Sequence, residues 1–85
     1  MTNKQKLRIK MSNLISAVQG SELGRLGLQL MKKRNSLPDY DISGLAVNFR
    51  RDKKDIKICV SMNEEVIKPN DPLYARIDEE LEILK

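Results

Sequence analysis

The chain contains no histidine and no tryptophan, one cysteine (Cys59) and three aromatic rings in 85 residues. Each shortage removes a class of function. Without histidine, the commonest general acid–base group is missing. One thiol and no imidazole cannot build a tetrahedral zinc site. A lone cysteine excludes a disulfide within the chain. With no apolar leader of about 7–15 residues at the start, it predicts a reducing, cytoplasmic setting. No apolar run exceeds three residues, as at Leu45-Ala46-Val47, so no membrane-spanning helix is expected. Tyr40, Phe49 and Tyr74 are too few to suggest a platform that stacks unpaired bases.

Catalytic groupings are equally scarce. Ser12, Ser16, Ser21, Ser36, Ser43 and Ser61 have no evident base. The carboxylate pairs Asp39/Asp41, Asp52/Asp55 and Glu64/Glu65 fall where turns and linkers are expected, and none has the spacing of an oxygen-ligand calcium loop. Cys59, placed mid-strand, reads as a semi-buried inert thiol. The expectation is a protein without catalytic residues, metal or cofactor.

Charge is abundant and unevenly spread. The net charge is +4. Residues 1–37 hold eight Lys or Arg against Glu22, a net of +7; the remainder holds eight against eleven acids, a net of −3. A basic half invites polyanions or acidic partners.

Hydrophobic spacing predicts the elements. Met11, Leu14, Ile15 and Val18 suggest a helix over 12–19. Residues 6–11 fit strand or helix equally. Leu23, Leu26 and Leu30 predict a second helix over 22–34, with Ser21 as N-cap and a left-handed Gly20 ending the first. Strands are expected over 42–50, with Leu45, Val47 and Phe49 inward, and over 55–62, with Ile56, Ile58, Val60 and Met62 inward. The intervening 51–54 reads as a turn, and 63–70 as a linker. Asp71-Pro72 opens a last helix, striped by Leu73, Ile77, Leu81 and Leu84. The fold class is α+β: one small domain over 1–85, a β-hairpin with helices packed on one face, in the order ααββα or βααββα. A chain this short leaves only about 60–65% of its unfolded surface to bury, and an open two-stranded hairpin wants a partner, so a homodimer is expected.

Residues 20–30, GSELGRLGLQL, carry three of the four glycines. With a leading strand, the order βααββα resembles the K-homology RNA-binding fold, whose GxxG loop clamps a nucleotide backbone. That resemblance implies a clamp at Gly24-Arg25-Leu26-Gly27, with Arg51-Asp52-Lys53-Lys54 as the variable loop. Glu22 and Leu26 depart from the family's pattern: Glu22 stands where an apolar residue is usual, and Leu26 where a polar or basic one is. The competing and preferred reading makes Gly20, Gly24 and Gly27 a notch for close helix approach, with Leu28 beside it.

The expected function is a small non-enzymatic binding module. It is directed at nucleic acid or an acidic nucleoprotein complex through Arg25, Lys32, Lys33, Arg34, Arg50, Arg51, Lys53 and Lys54. The alternative is a protein-interaction module, an inhibitor or adaptor such as a mobile-element product that blocks a host or defence complex. It would dock through Leu28 and the outer hairpin face around Ala46 and Cys59.

Overall fold

A computed structural model describes residues 14–83. The elements run β1 (Ile15–Ala17), α1 (Glu22–Lys33), β2 (Val47–Asp52), β3 (Asp55–Val60), β4 (Asn63–Ile67) and α2 (Tyr74–Ile83). The strands form one antiparallel sheet in the order β1-β2-β3-β4. The class is α+β, but the order is βαβββα. Neither ααββα nor βααββα is correct, and the two-stranded hairpin is the centre of a four-stranded sheet. The topology that resembled the K-homology fold falls with it. The strand-or-helix question at residues 6–11 lies outside the described residues.

Two segments account for the correction. The expected helix over 12–19 is, where described, the strand β1. Ile15 pairs with Phe49 and Ala17 with Val47, so these two face inward while Leu14 and Val18 are 53% and 70% exposed. Three paired residues are too few to display a period of two, and the chance spacing of Leu14, Ile15 and Val18 mimics a helical face. The expected linker over 63–70 begins with β4. Its Glu65 occupies an inward register opposite Ile58, which hides the alternation from a hydropathy reading.

The central pair follows its pattern more closely. Phe49 lies opposite Ile58, and Arg51 opposite Ile56. Val47, Phe49, Ile56, Ile58 and Val60 are fully buried. β2 starts later than expected because the chain turns at 42–45, where the Leu45 amide donates to the Ile42 carbonyl at 3.0 Å and Gly44 takes φ 87°. Leu45, expected inward, is therefore exposed. Met62, also expected inward, is 94% exposed, since Ser61 at φ 57° ends β3 in a tight turn.

Both helices cover the apolar face of the sheet. α1 is capped as expected by Ser21, whose Oγ accepts from the Gly24 amide at 3.1 Å. It ends at Arg34 with Asn35 at φ 55°. There the Asn35 amide donates to Lys32 O at 3.1 Å and the Ser36 amide to Met31 O at 2.8 Å, which satisfies the last carbonyls as a Schellman closure does. Asp71 caps the approach to α2, its Oδ1 accepting from the Leu73 amide at 2.9 Å. Leu23, Leu26, Leu30 and Met31 of α1 meet Ile77 and Leu81 of α2 and the sheet in one core. No charged or polar residue is buried among the described residues.

Gly24 is required by the backbone that follows β1 and Gly27 by the side chains of β2 and β3, neither by another helix. The Val18 carbonyl accepts from the Ser21 amide at 3.1 Å and from Ser21 Oγ at 2.7 Å. This folds β1 back onto the first turn of α1. A Cβ on Gly24 would lie 2.0 Å from that carbonyl oxygen. A Cβ on Gly27 would lie 2.7 Å from both Phe49 Cζ and Val47 Cγ1. Gly20 has open space around it and no left-handed φ, contrary to the expectation of a helix-ending glycine.

Candidate binding surfaces

Side chains alternate across a strand, so the residues between the core positions form a second face that no described element covers. One row across it is Ser16–Asn48–Cys59–Glu64, and the next brings Arg50 opposite Lys57 and Lys57 opposite Val66. Leu14, Asn48, Arg50, Lys57, Cys59 and Glu64 line a shallow cavity of about 220 Å³ on this face. Beyond it, Lys53 and Lys54 form the two-residue turn between β2 and β3, Lys53 at φ 59°. Asp52 draws the Lys57 Nζ to 3.6 Å. At the other end of the row, Ser16 Oγ donates to Asn48 Oδ1 at 2.7 Å.

The eight basic residues singled out from the sequence do not form one stripe. Arg50, Lys53 and Lys54 belong to the open face and its hairpin end, and none of them forms an ion pair among the described residues. Arg51, one residue away, points to the covered side. Its Nη2 pairs with Asp78 and lies 2.8 Å from Glu82, tying β2 to α2. Burial works against that charge, but the Asp78 hydrogen bond and the two carboxylates outweigh it and raise its pKa. Arg34 is equally committed, donating to Val66 O at 2.6 Å, Glu65 at 3.2 Å and Asp71 at 2.8 Å. It thereby fastens the end of α1 to β4 and to the cap of α2. Lys32 and Lys33 are exposed in the last turn of α1. Arg25 is exposed and, among the described residues, pairs only with Glu22, at 3.2 Å on its own helix.

Of the residues proposed for close contact, Gly24 is buried against the Val18–Gln19 backbone and Gly27 against β2 and β3, while Gly20 is exposed. Leu28 is half-buried in a groove beside α1. Ala46 is exposed just before β2. Cys59 is half-buried on the open face; its thiol pKa is raised by burial and by the charge of Glu64, and its Sγ lies 3.1 Å from Ser61 O. This disfavours the thiolate. Among the described residues, no group of three or more Cys, Asp or Glu is placed to hold a metal, and no helix is long and apolar enough to cross a membrane.

Lys57 lies outward beside Arg50, as its place between the inward Ile56 and Ile58 predicts. Two residues on these surfaces are not legible in the sequence. Glu64 falls in the expected linker. Gln19 carries no signal. Its Nε2 donates to the carbonyls of Ile42 and, at 2.8 Å, Leu45, pinning a loop more than twenty residues away. Compared with known proteins, the chain matches no family model, no curated protein and no solved structure.

Proposed function

We propose that this protein is a non-enzymatic module that binds nucleic acid, free or within a nucleoprotein complex, through the open sheet face and its hairpin end. The observation that carries the reading is the juxtaposition of Arg50 and Lys57 across β2 and β3, continued by Lys53 and Lys54 in the turn. The sequence of residues 1–13 holds Lys4, Lys6, Arg8 and Lys10 without an acid. Arg50, Lys53 and Lys54 pair with no carboxylate among the described residues, and Lys57 is held by Asp52 at 3.6 Å across a partly exposed contact; such cations can displace counterions from phosphates. Arg34 and Arg51 are left out of the surface because their charges are spent inside the fold. The reading includes a cytoplasmic homodimer, checked by the mass from light scattering.

The test is binding of a labelled oligonucleotide across a salt series. Affinity is expected to fall steeply between about 50 and 200 mM salt, with a log–log slope near 0.9 per phosphate contact on duplex DNA. Replacing Arg50, Lys53, Lys54 and Lys57 together by serine should flatten that slope and leave the thermal transition in place. A salt-independent affinity, or a slope the quadruple variant does not change, overturns the proposal.

A protein-interaction role is favoured by a different observation. Val18, Tyr40, Leu45 and Met62 are exposed and belong to the end of the sheet opposite Lys53 and Lys54. Exposed apolar groups gathered at one place mark protein contacts. A stoichiometric protein complex that survives moderate salt and nuclease supports this second reading over the first.

A further inference from the structure

α1 has a side that neither the sheet nor α2 covers. Arg25, Leu28, Gln29 and Lys32 follow one another at helical spacing along it. Together with Leu37 and Ile42 from the following loop, they line a groove of about 370 Å³. Leu28, Leu37 and Ile42 pack inward on the core and give the groove an apolar floor. Arg25 and Lys32 stand at its two ends, two helical turns or about 10 Å apart.

The far wall of this groove is held in place. Gln19 binds the carbonyls of Ile42 and Leu45. Asp41 closes the adjoining turn, accepting from the Ser43 amide at 2.9 Å and from Ser43 Oγ at 3.0 Å. A fixed wall spares a ligand the cost of ordering a loop.

We infer that this groove docks an acidic amphipathic segment of a partner protein. Apolar side chains of that segment enter between Leu28, Leu37 and Ile42, and carboxylates flanking them meet Arg25 and Lys32. Charge complementarity selects this occupant. Among the described residues Lys32 forms no ion pair and Arg25 forms only the exposed one to Glu22, which a ligand carboxylate can replace. The spacing of the two cations matches acids placed two turns apart on a helix, in the manner of helix-in-groove recognition. Nucleic acid fits less well, because the floor is aliphatic and no aromatic ring lines it for base stacking. This surface is separate from the open sheet face, so the inference does not rest on the proposed function.

The test pans a random 12-residue displayed peptide library on the intact protein. Enriched peptides are expected to share Leu, Ile or Met flanked by Asp or Glu. Their affinity should drop about tenfold or more on Arg25→Glu/Lys32→Glu, the size of one lost charge-assisted contact. Exchanging the peptide acids for lysine should restore binding to that double variant. Leu28→Glu should also abolish binding; because Leu28 touches the core, its folding is checked by circular dichroism, and the exposed double variant stands as the independent test. Failure to enrich any acidic–apolar consensus overturns the inference, as do enriched peptides that bind the double variant unchanged. So does a peptide signal displaced by an oligonucleotide whose own binding depends on Arg25 and Lys32.

Discussion

Phe49 is fully buried, while Asn48 and Arg50 on either side of it lie on the uncovered face of the same strand. The two faces of this sheet differ in kind. One is filled by Val47, Phe49, Ile56, Ile58, Val60 and Ile67, all fully buried beneath the helices. The other carries Asn48, Arg50, Lys57, Cys59 and Glu64 around a shallow cavity. A pleat one residue wide separates the part of the molecule that sets stability from the part free to meet something else. Charges show the same division. Arg51 reaches Asp78 and Glu82 on the covered side, while Arg50 is left without a partner among the described residues.

The comparison breaks most readily at its most buried point. Phe49→Ala should cost about 3–5 kcal/mol in urea unfolding, because the removed ring leaves a cavity as well as lost burial. Asn48→Ala should cost about 1 kcal/mol or less, the loss of one exposed hydrogen bond to Ser16. Similar costs for the two would mean that the second face is covered in solution, and a covering partner or second copy would then have to be sought.

The glycines of α1 probe the covered face more finely. Gly24→Ala meets backbone, the Val18 carbonyl oxygen, which cannot swing aside. The expected cost is about 3 kcal/mol, at the upper end of overpacking penalties. Gly27→Ala meets the side chains of Phe49 and Val47, which can shift, and about 1 kcal/mol of helix propensity is gained; the net cost should be about 1–2 kcal/mol. Gly20→Ala has open space and should lie within about 0.5 kcal/mol of wild type. Thermal melts of the three variants give the ranking. A nearly harmless Gly24→Ala would break the account of how β1 folds back onto α1.

The parts of this architecture that are legible in sequence are those with enough repeats to show a period. Ile56, Ile58 and Val60 alternate with Lys57 and Cys59, and β3 follows at once. Leu23, Leu26 and Leu30 behind Ser21 identify α1, and Asp71-Pro72 before Leu73 and Ile77 identifies α2. β1 was not legible because it has three paired residues and is flanked by exposed Leu14 and Val18. β4 was not legible because its inward Glu65 is compensated from afar: Arg34 lies 3.2 Å away and Ser36 donates to the same carboxylate. Missing β1 and β4 also concealed the binding surfaces. Without β4, Glu64 had no place beside Cys59. Without β1, nothing shows that the backbone after it returns onto Gly24. The eight cations looked equivalent because composition does not reveal which carboxylates a fold will bring to them.

The smallest effect concerns how wet the second face is. Burial first, and the neighbouring Glu64 charge second, raise the Cys59 thiol above its ordinary value of 9.0. Alkylation by iodoacetamide near neutral pH should therefore be slower than for a free thiol, and Glu64→Gln should speed it modestly. The same shift has a consequence for stability. A folded-state pKa above the unfolded value means that the protonated thiol is favoured by folding, so its contribution is intact below the unfolded value and is lost as pH rises through the folded one. Comparing the alkaline limb of the stability profile with that of Cys59→Ala isolates this contribution. A Cys59 that reacts as fast as free cysteine would show the open face to be fully solvated at its centre, and the shallow cavity there would no longer distinguish it from ordinary protein surface.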